Sequence, residues 1–211
     1  MNIFIDTAVH GCKIALFDDG KIIDSLSEPV ERGHAETFLP CVESLIQNNN
    51  KASQDIENIY VTIGPGSFTG LRVGLTVAQF MGFSLKKPVY GITTFQAFSC
   101  GVNDDQNRMV LVETKRTDFY TQLMNVNHEP IGQPCVLSAD QIHIDSDVIV
   151  TGDAVDRFIS ETGYSEQGIN QTMINPAAVI NAIQSDKLKI HPAQPFYIRD
   201  ADVSKPKTGK R

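Results

Sequence analysis

The sequence predicts an α/β protein of two domains, each a mixed sheet flanked by helices, with residues 1–102 forming the first and 103–211 a smaller second one ending in a tail. Three observations carry this. The first half orders its segments β-β-β-α-β-α, with hairpin-joined strands ahead of the first helix. At its centre a β-branched run, Ile59-Tyr60-Val61-Thr62-Ile63, stops at Gly64-Pro65-Gly66 and leads into a long apolar helix. After a polar, turn-rich seam at residues 101–107, the second half again opens with strands and closes with strand, loop and helix.

Taken in order, residues 2–6 are a short apolar strand ending at Asp6-Thr7-Ala8, and residues 12–17 a second. Asp18-Asp19-Gly20-Lys21 supplies a hairpin turn, because an Asp-Gly pair tolerates the positive φ angles of a tight two-residue loop, and residues 22–26 return as the third strand. From Glu31 the period changes. Ala35, Phe38, Leu39, Val42, Leu45 and Ile46 recur at three and four, which gives an amphipathic helix running out in Gln47-Asn48-Asn49-Asn50-Lys51, with Pro40 in its first turn or kinking it. A short strand at residues 87–92 precedes a brief helix capped by Thr93 or Thr94. In the second half, strands are expected at 109–112, 119–124, 130–137 and 148–150, and Asn175-Pro176 starts a helix.

The helix after Gly66, capped by Ser67 or Thr69, places apolar side chains at nearly every angle, with one polar line of Arg72, Thr76 and Gln79. Gly70, Gly74, Ala78 and Gly82 recur every fourth residue as a smooth ridge. Glycine in a helix costs roughly 0.5 to 1 kcal/mol against alanine, so repeated glycines imply that another backbone comes close. One face covers the chain's own sheet and the other needs a second helix, from this chain or a partner. The glycine loop itself has two readings on residue chemistry: an anion site at a helix N-terminus, or a close-packed turn. It matches neither the Walker A pattern, since Leu71 and Arg72 follow Gly70, nor G-x-G-x-x-G, since Thr69 stands at the third glycine.

At 41% apolar and 20% charged residues, the 211-residue chain is expected to be a globular cytoplasmic protein with no membrane span and no leader. Its four cysteines, Cys12, Cys41, Cys100 and Cys135, have no C-x-x-C spacing, and its five histidines form no i, i+4 pair, so neither a disulfide frame nor a metal site is expected. A net charge of -7 argues against a protein that grips nucleic acid alone, because phosphate contacts need clustered cations. The basic cluster Lys205, Lys207, Lys210 and Arg211 reads as a solvated tail. His34 beside Glu36 could pair a base with an orienting carboxylate, but no nucleophile accompanies them and a structural or interface role is the expectation.

Together, Asp6-Thr7-Ala8, Arg32-Gly33-His34-Ala35-Glu36, the stretch 64–74 and Pro195-Phe196-Tyr197-Ile198-Arg199 resemble the TsaB (YeaZ) family across most of the chain. Residues 113–120 are a looser counterpart of that family's second-domain turn, with Glu113 and Thr114 replacing its usual pair. The resemblance implies the actin, sugar-kinase and Hsp70 (ASKHA) fold, with Asp6, Thr7 and Ala8 as a degenerate nucleotide-phosphate loop. It implies a non-catalytic scaffold or activator that works with TsaD and TsaE to form N6-threonylcarbamoyladenosine at position 37 of tRNAs reading codons beginning with A. ATP and Mg would then act at the level of the complex, with no cofactor held by this chain alone and tRNA reached only through the complex. The implied partner interface comprises His34, Glu36, Phe38, Leu39, Val42, Gly70, Arg72, Gly74, Ala78 and Gly82, facing TsaD, or a second copy when TsaD is absent. The alternative is an autonomous ATP-dependent transferase or small-molecule kinase of the same fold.

Overall fold

The computed structural model describes residues 1–9, 11–28, 34–102, 105–165, 168–171 and 173–199, of which 28, 34–37 and 168–170 by backbone alone. The first strands are β1 (Asn2–Asp6), β2 (Cys12–Asp18) and β3 (Lys21–Glu28). The β2–β3 hairpin closes at Asp18 and Lys21 with positive φ at both Asp19 and Gly20, as the Asp-Gly pair requires. Then come α1 (His34–Asn48), β4 (Asn58–Gly64), α2 (Phe68–Leu85), β5 (Val89–Thr93) and α3 (Thr94–Cys100). The second half holds β6 (Asn107–Glu113), β7 (Asp118–Met124), β8 (Pro130–Ser138), β9 (Val148–Gly152), α4 (Val155–Thr162), β10 (Gly168–Asn170), α5 (Pro176–Gln184) and β11 (His191–Pro192).

Strands order as β11-β5-β4-β1-β2-β3 in one sheet and β10-β9-β6-β7-β8 in the other. Both sheets are mixed: β1 pairs antiparallel with β2 and parallel with β4, and β6 pairs antiparallel with β7 and parallel with β9. Side chains alternate across each sheet, which divides the core into three clusters. Ile3, Ile5, Val61 and Ile63 pack with Phe38, Val42, Leu75 and Ala78 of α1 and α2. On the opposite face Phe4, Phe17 and Tyr60 share a cluster with Phe95 and Phe98 of α3, Val179 of α5, and Val110 and Val112 of the second sheet. Leu111, Phe119 and Val150 pack under Phe158 of α4. The layers therefore run helices, sheet, helices, sheet, helix, and the two halves share their middle layer.

The caps follow their residue chemistry. The Ser67 side chain accepts from the Gly70 N–H, Thr93 and Gln96 form a reciprocal capping box, and Asn175 caps α5 with Pro176 in its first turn. Pro40 lies within α1, beyond its first turn, and the expected start of that helix near Glu31 falls outside the described residues. The pattern missed α4, β10 and β11. The last matters most, because β11 pairs with β5 and carries the C-terminal part of the chain back onto the first sheet.

Candidate functional site

The loop after β1 is closed by the chain's own groups. Asp6 has no exposed surface; its Oδ1 accepts from the Ala8 N–H at 2.9 Å and the Thr62 hydroxyl at 2.8 Å, and Lys13 Nζ stands 3.4 Å from Oδ2. Thr7 donates its hydroxyl to the Gly70 carbonyl at 2.7 Å, and the Ser67 N–H donates to the Ala8 carbonyl at 2.8 Å. A carboxylate so enclosed has no face for a metal-bound phosphate. Asp6, Thr7 and Ala8 instead join β1 to the start of α2.

This junction corrects the partner interface expected along the glycine ridge. Gly70, Gly74, Ala78 and Gly82 are all buried, and the ridge faces the chain's own loop and sheet. A Cβ at Gly70 would stand 2.0 Å from the Thr7 carbonyl oxygen, one at Gly74 2.2 Å from Thr7 Oγ1, and one at Gly82 2.3 Å from Val89 Cγ2. The spacing signalled a close backbone, and that backbone is intramolecular. Phe38 and Val42 of α1 are likewise core residues, at 2% and 1% exposure, because α1 turns them onto the first sheet. Leu39 is half-buried and Arg72 exposed, while the side chains of His34 and Glu36 and the basic tail fall outside the described residues.

The outer side of α2 carries the polar line together with two phenylalanines. Arg72, Thr76 and Phe80 are four apart, and Gln79 and Phe83 lie beside them one turn on, so all project from one face. Phe80 is 57% exposed and Phe83 85%, extents that mark an apolar surface largely uncovered among the described residues. At the N-terminal end Phe68 lies under the Arg72 guanidinium, 3.8 Å from its carbon, and against the Tyr197 ring at 5.5 Å. Both phenylalanines were legible as helix residues, but a helix apolar all round gives no sign of which of its faces stays open.

A cleft of about 380 Å³ opens between the α2 start, the β6–β7 turn and residues 196–199. Its second-half wall is braced by Arg157, whose Nε and Nη2 bond Glu113 Oε2 and Oε1 at 2.8 and 3.1 Å, and whose guanidinium lies over the Phe119 ring. Asp118 accepts from Thr114 and Arg157 through its carbonyl, and its carboxylate pairs with Arg199. Burial acts upward on Asp118, but the bonds from Arg199 and Thr114 hold it below the usual carboxylate range.

Behind this wall, Asp153 in the β9–α4 loop accepts the Glu113 N–H at 3.0 Å. Burial pushes its carboxyl up to about 7; that N–H acts downward, and the Glu113 and Asp6 charges upward. A folded value above the unfolded one means that Asp153 contributes stability in full below its unfolded value near 3.8, and that this is lost as pH rises through about 7. Asp153→Asn is therefore expected to match the parent near pH 4 and to exceed it by about 2 to 4 kcal/mol at pH 8, read by urea unfolding at both. Equal stabilities at pH 8 would contradict the assignment.

Among the described residues no cluster of metal-ligating side chains occurs, no helix is long and apolar enough to cross a membrane, and none of the four cysteines forms a disulfide.

A family model described as TsaD: tRNA N6-adenosine threonylcarbamoyltransferase matches residues 26–191. The tRNA threonylcarbamoyladenosine biosynthesis protein TsaB of Buchnera aphidicola subsp. Schizaphis graminum is 36% identical over 90 residues, 43% of this chain and 42% of that one. The chain spans about half the length of the curated relatives it matches. A crystal structure from Pseudomonas aeruginosa, described as similar to peptidase YeaZ, superposes with a TM-score of 0.79 at 20% identity, over 94% of this chain and all of that one. A Porphyromonas gingivalis protein described as an N-acetylglucosamine kinase does so at 0.52 with 8% identity, over 89% of this chain and all of that one. At such identities the likeness shows the fold, that of the actin, sugar-kinase and Hsp70 class. With the family model covering well over half of its length, the chain belongs to the TsaD tRNA N6-adenosine threonylcarbamoyltransferase family.

Proposed function

We propose that this chain is a non-catalytic cytoplasmic subunit in the formation of N6-threonylcarbamoyladenosine on tRNA, docking to a TsaD homologue and working with a TsaE homologue. The observation that carries the reading is the outer face of α2, where Phe80 and Phe83 stand exposed on a helix whose opposite side is closed against its own sheet. Relatives described as tRNA threonylcarbamoyladenosine biosynthesis proteins support the pathway. The buried, paired Asp6 supports a role without phosphate chemistry of its own, leaving ATP and Mg to the complex. The chain's net charge of -7 supports tRNA contact through the complex rather than through this subunit. In the absence of TsaD, two copies would pair through the same face, as an isologous contact.

Phe83→Asp tests this face. Aromatic anchors at an interface typically contribute 2 kcal/mol or more, so the variant is expected to bind the TsaD homologue at least about thirtyfold more weakly. The Tm should be unchanged, since Phe83 touches little of its own fold. Unchanged affinity in a sedimentation titration would remove α2 from the interface, and steady ATP turnover by the isolated chain would favour the transferase or kinase alternative.

A further inference from the structure

The two halves are joined unequally on their two sides. On one, α3 and α5 pack into a continuous core with both sheets, through Phe98, Val110 and Val179 among others. On the other lies the cleft, lined by residues 196–199 at the end of the segment 193–199. This segment is tied at four points. The Gln79 side chain donates to the Ala193 carbonyl at 2.7 Å, the Phe196 N–H donates to the Ile63 carbonyl at 2.7 Å, Tyr197 rests on Phe68, and Arg199 pairs with Asp118. The first three ties belong to the first half. Of the four, the Arg199 pair reaches the second half, where Asp118 is itself fixed by Thr114 and Arg157, while Phe196 and Ile198 also pack against the core that both halves share.

We propose that residues 193–199 are a releasable strap that holds the cleft shut, with Arg199–Asp118 as its clasp and the α3–α5 layer as the hinge. Both partners of the clasp are partly exposed, at 28% and 22%, so water and salt compete for it. The hinge side is a dry core and resists. When the clasp opens, the β6–β7 turn and the α2 start are no longer bridged, and Tyr197 is free to leave Phe68. Since the Phe68 ring also lies under Arg72 at one end of the outer α2 face, release alters what that face presents. That last link rests on the docking reading; the clasp itself does not.

The experiment is hydrogen exchange on the isolated full chain, read by mass spectrometry at 0.05 and 0.5 M salt. Arg199→Ala is expected to speed exchange of the Phe196 amide and of peptides covering 113–120 at least tenfold, while β1 peptides in the hinge-side core keep their protection. Asp118→Ala should do the same, and the double variant should be no worse than either single one, because both remove one interaction. Because the chain has no tryptophan, Tyr197→Trp adds a single reporter whose emission should shift red when Arg199 is also replaced. Unchanged protection at 196 and 113–120 in both single variants, or additive effects in the double one, would overturn the strap. Partner affinity is measured separately, so a failure of docking leaves the clasp result standing, and the reverse.

Discussion

Gly70→Ala is expected to lower stability by about 2 to 4 kcal/mol, although alanine is the better helix former by about 1 kcal/mol. The added carbon would meet the Thr7 carbonyl oxygen at 2.0 Å, and neither backbone can yield without loss. Thr7 donates to the Gly70 carbonyl, and the neighbouring Ser67 N–H donates to Ala8, so moving α2 outward breaks both bonds at once. Gly74→Leu acts on the same junction through Thr7 Oγ1. In a chain of this size 1 kcal/mol moves the Tm by roughly 2 to 4 °C, so thermal melting should show a fall of roughly 5 to 15 °C for Gly70→Ala. The folded fraction should still bind its partner. A variant with parental Tm and lost docking would restore the ridge as a partner surface.

Lys13→Met is expected to cost about 3 to 5 kcal/mol, the usual consequence of leaving one charge of a buried pair behind. Lys13 is 2% exposed and Asp6 has no exposed surface, so the remaining carboxylate cannot turn to water. The Ala8 N–H and Thr62 hydroxyl still donate to its Oδ1, which keeps the cost below that of an isolated buried ion. Combining Lys13→Met with Asp6→Asn should recover most of the loss, because the double variant buries no net charge. Urea unfolding of the three variants measures this, and a double variant as unstable as the single would show that Lys13 serves packing rather than charge.

The first half was readable because its signals are local. The Asp-Gly hairpin, the β-branched run before Gly64 and the Ser67 and Thr93 caps each specify their own geometry within a few residues. Sequence spacing could not say which backbone the glycines of α2 admit. Thr7 lies 63 residues from Gly70, and the contact exists only once β1 and β4 are paired. The same limit hid the exposure of Phe80 and Phe83, since helix composition reports how much apolar surface there is and not which side is left uncovered. The return of β11 was invisible because a two-residue strand has no periodicity. Tyr197 and Arg199 were noticed in a motif, yet their partners Phe68 and Asp118 are supplied by different halves.

The account turns on the chain acting by docking rather than by chemistry. The direct measurement is N6-threonylcarbamoyladenosine formed on a suitable tRNA by purified TsaD and TsaE homologues, with the threonylcarbamoyl donor supplied, in three arms: this chain present, absent, or replaced by Phe83→Asp. Modification is expected with the parent chain and should fall to background both without it and with the variant, while the charge-neutral Lys13→Met, Asp6→Asn double variant supports full modification. Full modification in the arm lacking this chain, or with Phe83→Asp at limiting concentration, would contradict the account.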